Sequence, residues 1–174
     1  IAIRDRDFPE ILVLEMGADR PGDIRYLARL AEPRIAVLTA IGEIPAHVEF
    51  FAGPLDVAEE KAELIKALPP DGTLLYNADD EVMLEIKNRT RARKQSFGFD
   101  EHADYRIEQY GLRIVAEAEG EMPDGIHFKI AYGKHVVPFR IHGAFGKPQA
   151  YAAAAAAAVA AVFHMNLVEV AEAL

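Results

Sequence analysis

Apolar positions along this chain follow two rhythms, and the change between them falls near residue 93. Before it, short unbroken apolar runs alternate with stretches of helical spacing. Residues 11–14 read Ile-Leu-Val-Leu between Pro9 and Gly17. That pattern predicts a buried parallel strand, because a strand covered on both faces loses polar alternation. In residues 21–31 the apolar Ile24, Tyr26, Leu27, Leu30 and Ala31 recur near helical spacing. With Asp19-Arg20-Pro21 ahead, Asp23 in the first turn and Pro33 behind, they predict an amphipathic helix. Residues 35–39 are a second apolar strand, and short strand-helix-strand links require a right-handed parallel crossover. Residues 40–54, rich in Gly and Pro and carrying Glu43, His47 and Glu49, read as a loop at the carboxyl end of that strand. Residues 55–68 turn helical, with Val57, Ala58, Leu64, Ile65 and Leu68 on the buried side and Lys61 in the middle, until Pro69-Pro70-Asp71-Gly72 stops them. A third strand, 73–76, runs into Asn77-Ala78-Asp79-Asp80, a turn and helix cap ahead of 82–87. Strands alternating with helices predict an α/β fold with a mostly parallel sheet flanked by helices.

After Arg93 the segments 95–99, 105–110, 112–119, 126–132 and 135–141 are short and alternating. Gly111, Gly120, Pro123-Asp124-Gly125 and Gly133-Lys134 separate them. They predict an antiparallel meander, a smaller sheet appended to the parallel one. Residues 149–164 are an alanine-dominated helix, whose small side chains suit close packing on a sheet. Asn166 is placed to cap a last helix.

Composition narrows the picture. The 174 residues suit one domain with a substantial core. The absence of cysteine excludes disulfides and thiolate metal sites and is compatible with a reducing cytoplasm. No segment is long and apolar enough to span a bilayer, so membrane insertion is not expected. A net charge of −9 argues against a nucleic-acid surface. The one basic cluster, residues 87–94, reads as a solvated helix end and turn, with a local phosphate contact as the alternative.

Glu15 ends the first apolar run, at the strand end where open α/β sheets place ligands, and a hard cation such as Mg²⁺ favours oxygen donors there. The alternatives are a helix cap or a pair with Arg20. Lys61 alone reads as a solvated helix lysine and His47 alone as a loop histidine. His102, His127, His135, His142 and His164 show no metal-ligand spacing.

Five motifs in order resemble the central ATP-binding domain of the Mur ligases, ATP-dependent amide-forming enzymes of peptidoglycan synthesis. They are Leu14-Glu15-Met16-Gly17-Ala18-Asp19 with Pro21-Gly22-Asp23-Ile24, Ile41-Gly42, Ala46-His47-Val48-Glu49, Asp71-Gly72-Thr73 and Asn77-Ala78-Asp79-Asp80. Within the family they look most like the branch that adds D-alanyl-D-alanine. The resemblance implies Glu15 as a Mg²⁺ ligand beside the ATP phosphates, His47 at a second metal, and Lys61 carbamylated into an anionic oxygen donor. It also implies a nucleotide contact for Gln149. For Asn77, a nucleotide contact stands beside the turn-and-cap role, and the same holds for Asp80. The substrates it implies are a UDP-muramoyl tripeptide and D-alanyl-D-alanine, the cofactors ATP and Mg²⁺, and the compartment the cytoplasm.

Two departures qualify this. The family's Gly-x-x-Gly-Lys-Thr/Ser phosphate loop is absent, and Gly146-Lys147-Pro148 cannot replace it, because Pro148 stands at the hydroxyl position. The chain is therefore expected to be an amino-terminally truncated domain, lacking also a carboxy-terminal domain and inactive by itself. The family's Gly-x-His-Asn-x-x-Asn stretch reads here Gly143-Ala144-Phe145-Gly146-Lys147-Pro148-Gln149, which keeps an amide only at Gln149. A ligase of the folate-polyglutamate or cyanophycin type, or a non-catalytic module that keeps the fold, are the alternatives.

Overall fold

The computed structural model describes residues 9–40, 50–51, 53–117 and 120–174. The helices and strands are α1 (Asp23–Ala31), β1 (Ile35–Leu38), α2 (Pro54–Lys66), β2 (Thr73–Asn77), α3 (Glu81–Ile86), β3 (Arg93–Gly98), β4 (Tyr105–Glu117), β5 (Gly120–Tyr132), β6 (His135–His142), α4 (Lys147–Val162) and α5 (Leu167–Ala173).

All six strands lie in one sheet in sequence order. β1 to β4 are parallel neighbours, while β5 and β6 continue antiparallel. The expected α/β class is present, but the antiparallel part is an extension of the same sheet. Of residues 95–99, expected in the meander, 95–98 belong to β3, which pairs parallel with β2 through Phe97. Gly111 and Pro123-Asp124-Gly125, expected as turns, lie inside β4 and β5, where the register shifts instead of reversing.

The parallel step from β3 to β4 uses only residues 99–104, although such steps ordinarily need a crossover of a dozen residues or more. Register explains it: Phe97 and Gly98, the last of β3, pair with Tyr105 and Arg106, the first of β4. β4 starts where β3 stops and runs on in the same direction, so the chain never has to return along the sheet. The corner is held by Asp104, whose carboxylate accepts from Ser96 N at 2.8 Å and from Ser96 Oγ at 3.0 Å.

One core lies between α4 and the sheet. Ala150, Ala153, Ala154, Ala157 and Ala158 are buried against Phe97, Tyr105, Phe128 and Phe139. The close packing expected of the alanine run is present. A second core joins α2 and α3 to the opposite side, through Ala58, Ala62, Ile65, Leu74 and Met83. Asn166 caps α5 in a full capping box with Glu169.

The expected strand at 11–14 is not formed. These residues are irregular and exposed, Val13 by 86%, and among the described residues β1 has β2 as its sole strand neighbour. An apolar run becomes a strand only where a neighbour takes up its backbone hydrogen bonds. The amphipathic helix is present, but its buried face is Ile24 and Ala28, whereas Tyr26 and Leu30 are exposed. Polar groups tie α1 down instead. The buried Glu60 of α2 accepts from Gly22 N and Ile24 N, both at 2.8 Å, satisfying backbone donors at the start of α1. Arg25 then pairs with Glu63 at 2.7 Å.

Hydrogen bonds from Arg25 and Lys66 hold the Glu63 carboxyl at about 2, far below the usual carboxylate range. Its contribution to stability is therefore complete above the unfolded value of roughly 4.3 and is lost as pH falls toward 2. Urea unfolding midpoints measured from pH 6 to pH 2 are expected to fall more steeply for the wild type than for Glu63→Gln.

Candidate functional site

Because β1, β2 and β3 are parallel, their carboxyl ends meet along one edge of the sheet, where open α/β folds bind ligands. Asn77, the last residue of β2, is buried. Its Nδ2 donates to Thr39 O at 2.9 Å, and its Oδ1 accepts from Asp79 N at 3.0 Å. It thereby fastens the end of β1 to the turn after β2. Asp80 accepts from Met83 N at 3.2 Å and caps α3. The expected turn and cap are both present.

Asp79, between them, reaches three elements. Its Oδ1 accepts from Asp100 N, and its Oδ2 from Phe99 N and from the Tyr151 hydroxyl, each at 2.7 Å. Gly98 makes room for this: its φ is +149°, and a Cβ there would stand 2.7 Å from Asp79 Oδ2. Burial, reinforced by the Asp79 carboxylate, pushes the Tyr151 phenol far above its ordinary value, so it remains a donor. The Phe99 ring meets Tyr151 edge-on at 5.2 Å and Tyr110 at 5.9 Å, and Lys147 Nζ stands 4.9 Å from its centre. These contacts set the start of α4 against the strand ends, with Gln149 exposed in its first turn.

Lys61 approaches from α2, and its Nζ donates to the carbonyl of Ala40, two residues beyond β1. Burial lowers its pKa below the ordinary lysine value, and Asp80 partly opposes the shift. Desolvation of this kind favours the neutral amine, the form that reacts as a nucleophile.

The strand ends thus bring together Lys61, Asn77 and, through the Tyr151–Asp79 bond, the turn of α4 that carries Gln149. Glu15 is exposed on the irregular segment and makes no hydrogen bond or ion pair with another described residue. Arg20, its alternative partner, instead stands over the Phe50 ring, 5.1 Å from the centre. His47 lies outside the described residues. Among those described, no three His, Asp or Glu side chains converge. In the basic stretch, Arg89 pairs with Glu59 of α2 and Lys87 with the Tyr76 hydroxyl, so part of it serves packing. Reading the sequence missed Tyr151, Phe99 and Lys147 as members of this site. The one available signal was a tyrosine interrupting an alanine run.

A parallel sheet whose strand ends gather a desolvated lysine, a buried amide and a helix start defines a ligand-binding α/β domain. The model of the Mur ligase middle domain matches residues 4–160, and the chain belongs to that family. It is 34% identical over 149 residues, 86% of its length, to the UDP-N-acetylmuramoyl-tripeptide–D-alanyl-D-alanine ligase of Bacillus subtilis (strain 168). It spans 30% of that relative's length. Among solved structures, the MurF ligase of Thermotoga maritima in complex with ADP superposes with a TM-score of 0.76 at 26% identity, over 95% of this chain and 36% of that one. A MurF of Acinetobacter baumannii gives 0.75 at 22%, over 90% and 32%. No helix among the described residues is long and apolar enough to cross a membrane.

Asp79→Ala removes one acceptor from three donors and is expected to destabilise the chain by about 3 kcal/mol, as for other hydrogen bonds to charged groups. Tyr151→Phe should cost about 1 kcal/mol. Urea denaturation of the two variants beside the wild type checks the ranking.

Proposed function

We infer that the chain is the central nucleotide-handling domain of a cytoplasmic ATP- and Mg²⁺-dependent ligase that joins D-alanyl-D-alanine to a UDP-muramoyl tripeptide. In this reaction ATP phosphorylates the tripeptide carboxylate. The amine of D-alanyl-D-alanine then attacks the acyl phosphate, and phosphate leaves as the amide forms. Family membership and the Bacillus subtilis relative support the reading, and the observation that carries it is the desolvated Lys61 amine at the strand carboxyl ends.

An ordinary lysine near 10.4 is neutral only about one part in a thousand at neutral pH. Burial of Lys61 raises that fraction, which is what reaction with CO₂ to give a carbamate requires. The carbamate replaces an ammonium by an anionic oxygen donor. With Glu15 and His47, these donors suit divalent cations, Mg²⁺ preferring the oxygens. When bound, Mg²⁺ supplies neutralisation of phosphate charge. Asn77 and Asp79 hold the strand ends and the start of α4 in register, which positions Gln149 for the nucleotide. A non-catalytic module is the second reading, favoured by Phe145-Gly146 in place of the family's His-Asn pair.

The test is phosphate release by the natural-length gene product with ATP, Mg²⁺ and UDP-muramoyl tripeptide, across a panel of amines. Release is expected to require D-alanyl-D-alanine and to fall by on the order of 10²–10³ in Lys61→Ala, the range typical for losing one charge-stabilising group. A carbamate carbonyl signal from ¹³C-bicarbonate, present in the wild type and absent in the variant, would fix the chemistry of Lys61. Release with glutamate instead would move the protein to another branch. No release with any amine would leave the non-catalytic reading.

A further inference from the structure

Among the described residues, α4 and α5 pack on one face of the β4–β6 extension, and His127, Pro138 and Arg140 on the other face are exposed. On that face lies a depression of about 420 Å³ whose lining includes no acidic residue. Gln109, Arg113, His127, Lys129, Pro138 and Arg140 line it. In a chain of net charge −9, this is a local reversal of sign.

Two carboxylates lie nearby, Glu108, which is the cross-strand partner of Lys129, and Asp124, and both are already paired with other cations. Asp124 is engaged by Arg113 Nε at 2.7 Å and by His142 Nδ1 at 3.1 Å, and Glu108 by Arg106 at 2.7 Å. Among the described residues, His127, Lys129 and Arg140 have neither an ion pair nor a side-chain hydrogen bond. His127 and Arg140 are direct cross-strand partners, and Lys129 follows two residues along the same face of β5. Lys129 and Arg140, on adjacent strands of one face, are two cations that an anion between them would join.

The backbone beside them is also shaped for access. The β4–β5 register slips between Glu108 and Gly111, and Gln109 takes a φ of +53°. Irregular strands of this kind recur next to binding sites because they re-aim side chains. The slip sets Gly111 directly beneath the His127 ring, where a Cβ would stand 2.8 Å from Cε1. Glycine therefore lets the imidazole lie against β4.

We propose that this depression is a second anion site, distinct from the strand-end site, that binds a phosphate-bearing small molecule through Lys129, Arg140 and His127. Its volume falls in the range of small-molecule pockets. The two flexible cations and the imidazole supply donors from two strands, and Gln109 adds an amide on the rim. The site does not depend on the reading of the strand-end residues.

Titration of the ¹⁵N-labelled 174-residue chain with pyrophosphate at constant ionic strength tests it by ¹H–¹⁵N correlation spectra. Saturable shifts are expected at the amides around residues 109–113, 127–129 and 138–141. They should weaken roughly tenfold or more in Lys129→Ala/Arg140→Ala, as for the loss of two charge-assisted contacts. The charge-keeping Lys129→Arg/Arg140→Lys should retain binding, and an unshifted remainder of the spectrum shows that each variant is folded. Linear, non-saturating shifts would overturn the proposal. So would saturable shifts confined to residues 61, 77–80 and 147–149, or citrate binding as tightly as pyrophosphate.

Discussion

The architecture turns on one carboxylate. Asp79 receives two backbone N–H groups from the β3–β4 corner and a hydroxyl from α4, while its own N–H is taken by Asn77. Three segments far apart in sequence are joined at this point, the corner at which the last parallel strand, β4, takes over from β3. Each of these bonds contributes on the order of 1 kcal/mol, and the arrangement also fixes directions. It decides that β4 leaves at the end of β3, that the extension projects beyond the strand ends, and that α4 begins against them.

This explains which parts of the fold the sequence discloses. Apolar runs and their stops locate β1, α2, β2 and α3 within a residue or two, because local rules govern them: Pro54 early in α2, Pro69 to Gly72 after it, Asp80 as a cap. The meander was legible as alternation. That it continues the parallel sheet was not, since continuity depends on pairing Phe97 with Tyr105 across the corner, which no apolar pattern marks. Gly111 and Gly125 look like turns for the same reason, as glycine marks a register slip and a reversal alike.

The segment 11–14 failed for a different reason. Its apolarity describes what the residues need, not whether a neighbour is there to meet the need. These four exposed apolar residues have no strand partner among the described residues, and Glu15 shares their placement. At the site, Lys61 on its helix, the Asn77 turn and the Asp80 cap were legible as residues with chemistry. Their supports, Tyr151, Phe99 and Gly98, were not, because each acts through a contact of long sequence separation.

The two cationic regions show how the same charge is put to different use by its surroundings. Lys61 is half-buried against a carbonyl, and burial lowers its pKa while the charge of Asp80 opposes the shift. Lys129 and Arg140 stand on an open strand face in contact with water. An anion between them would be held by both charges, as the proposed second site requires. On the readings proposed above, burial selects chemistry in the first case and exposure selects recognition in the second. A net-acidic chain shows neither in its composition, because both depend on where a few side chains are held.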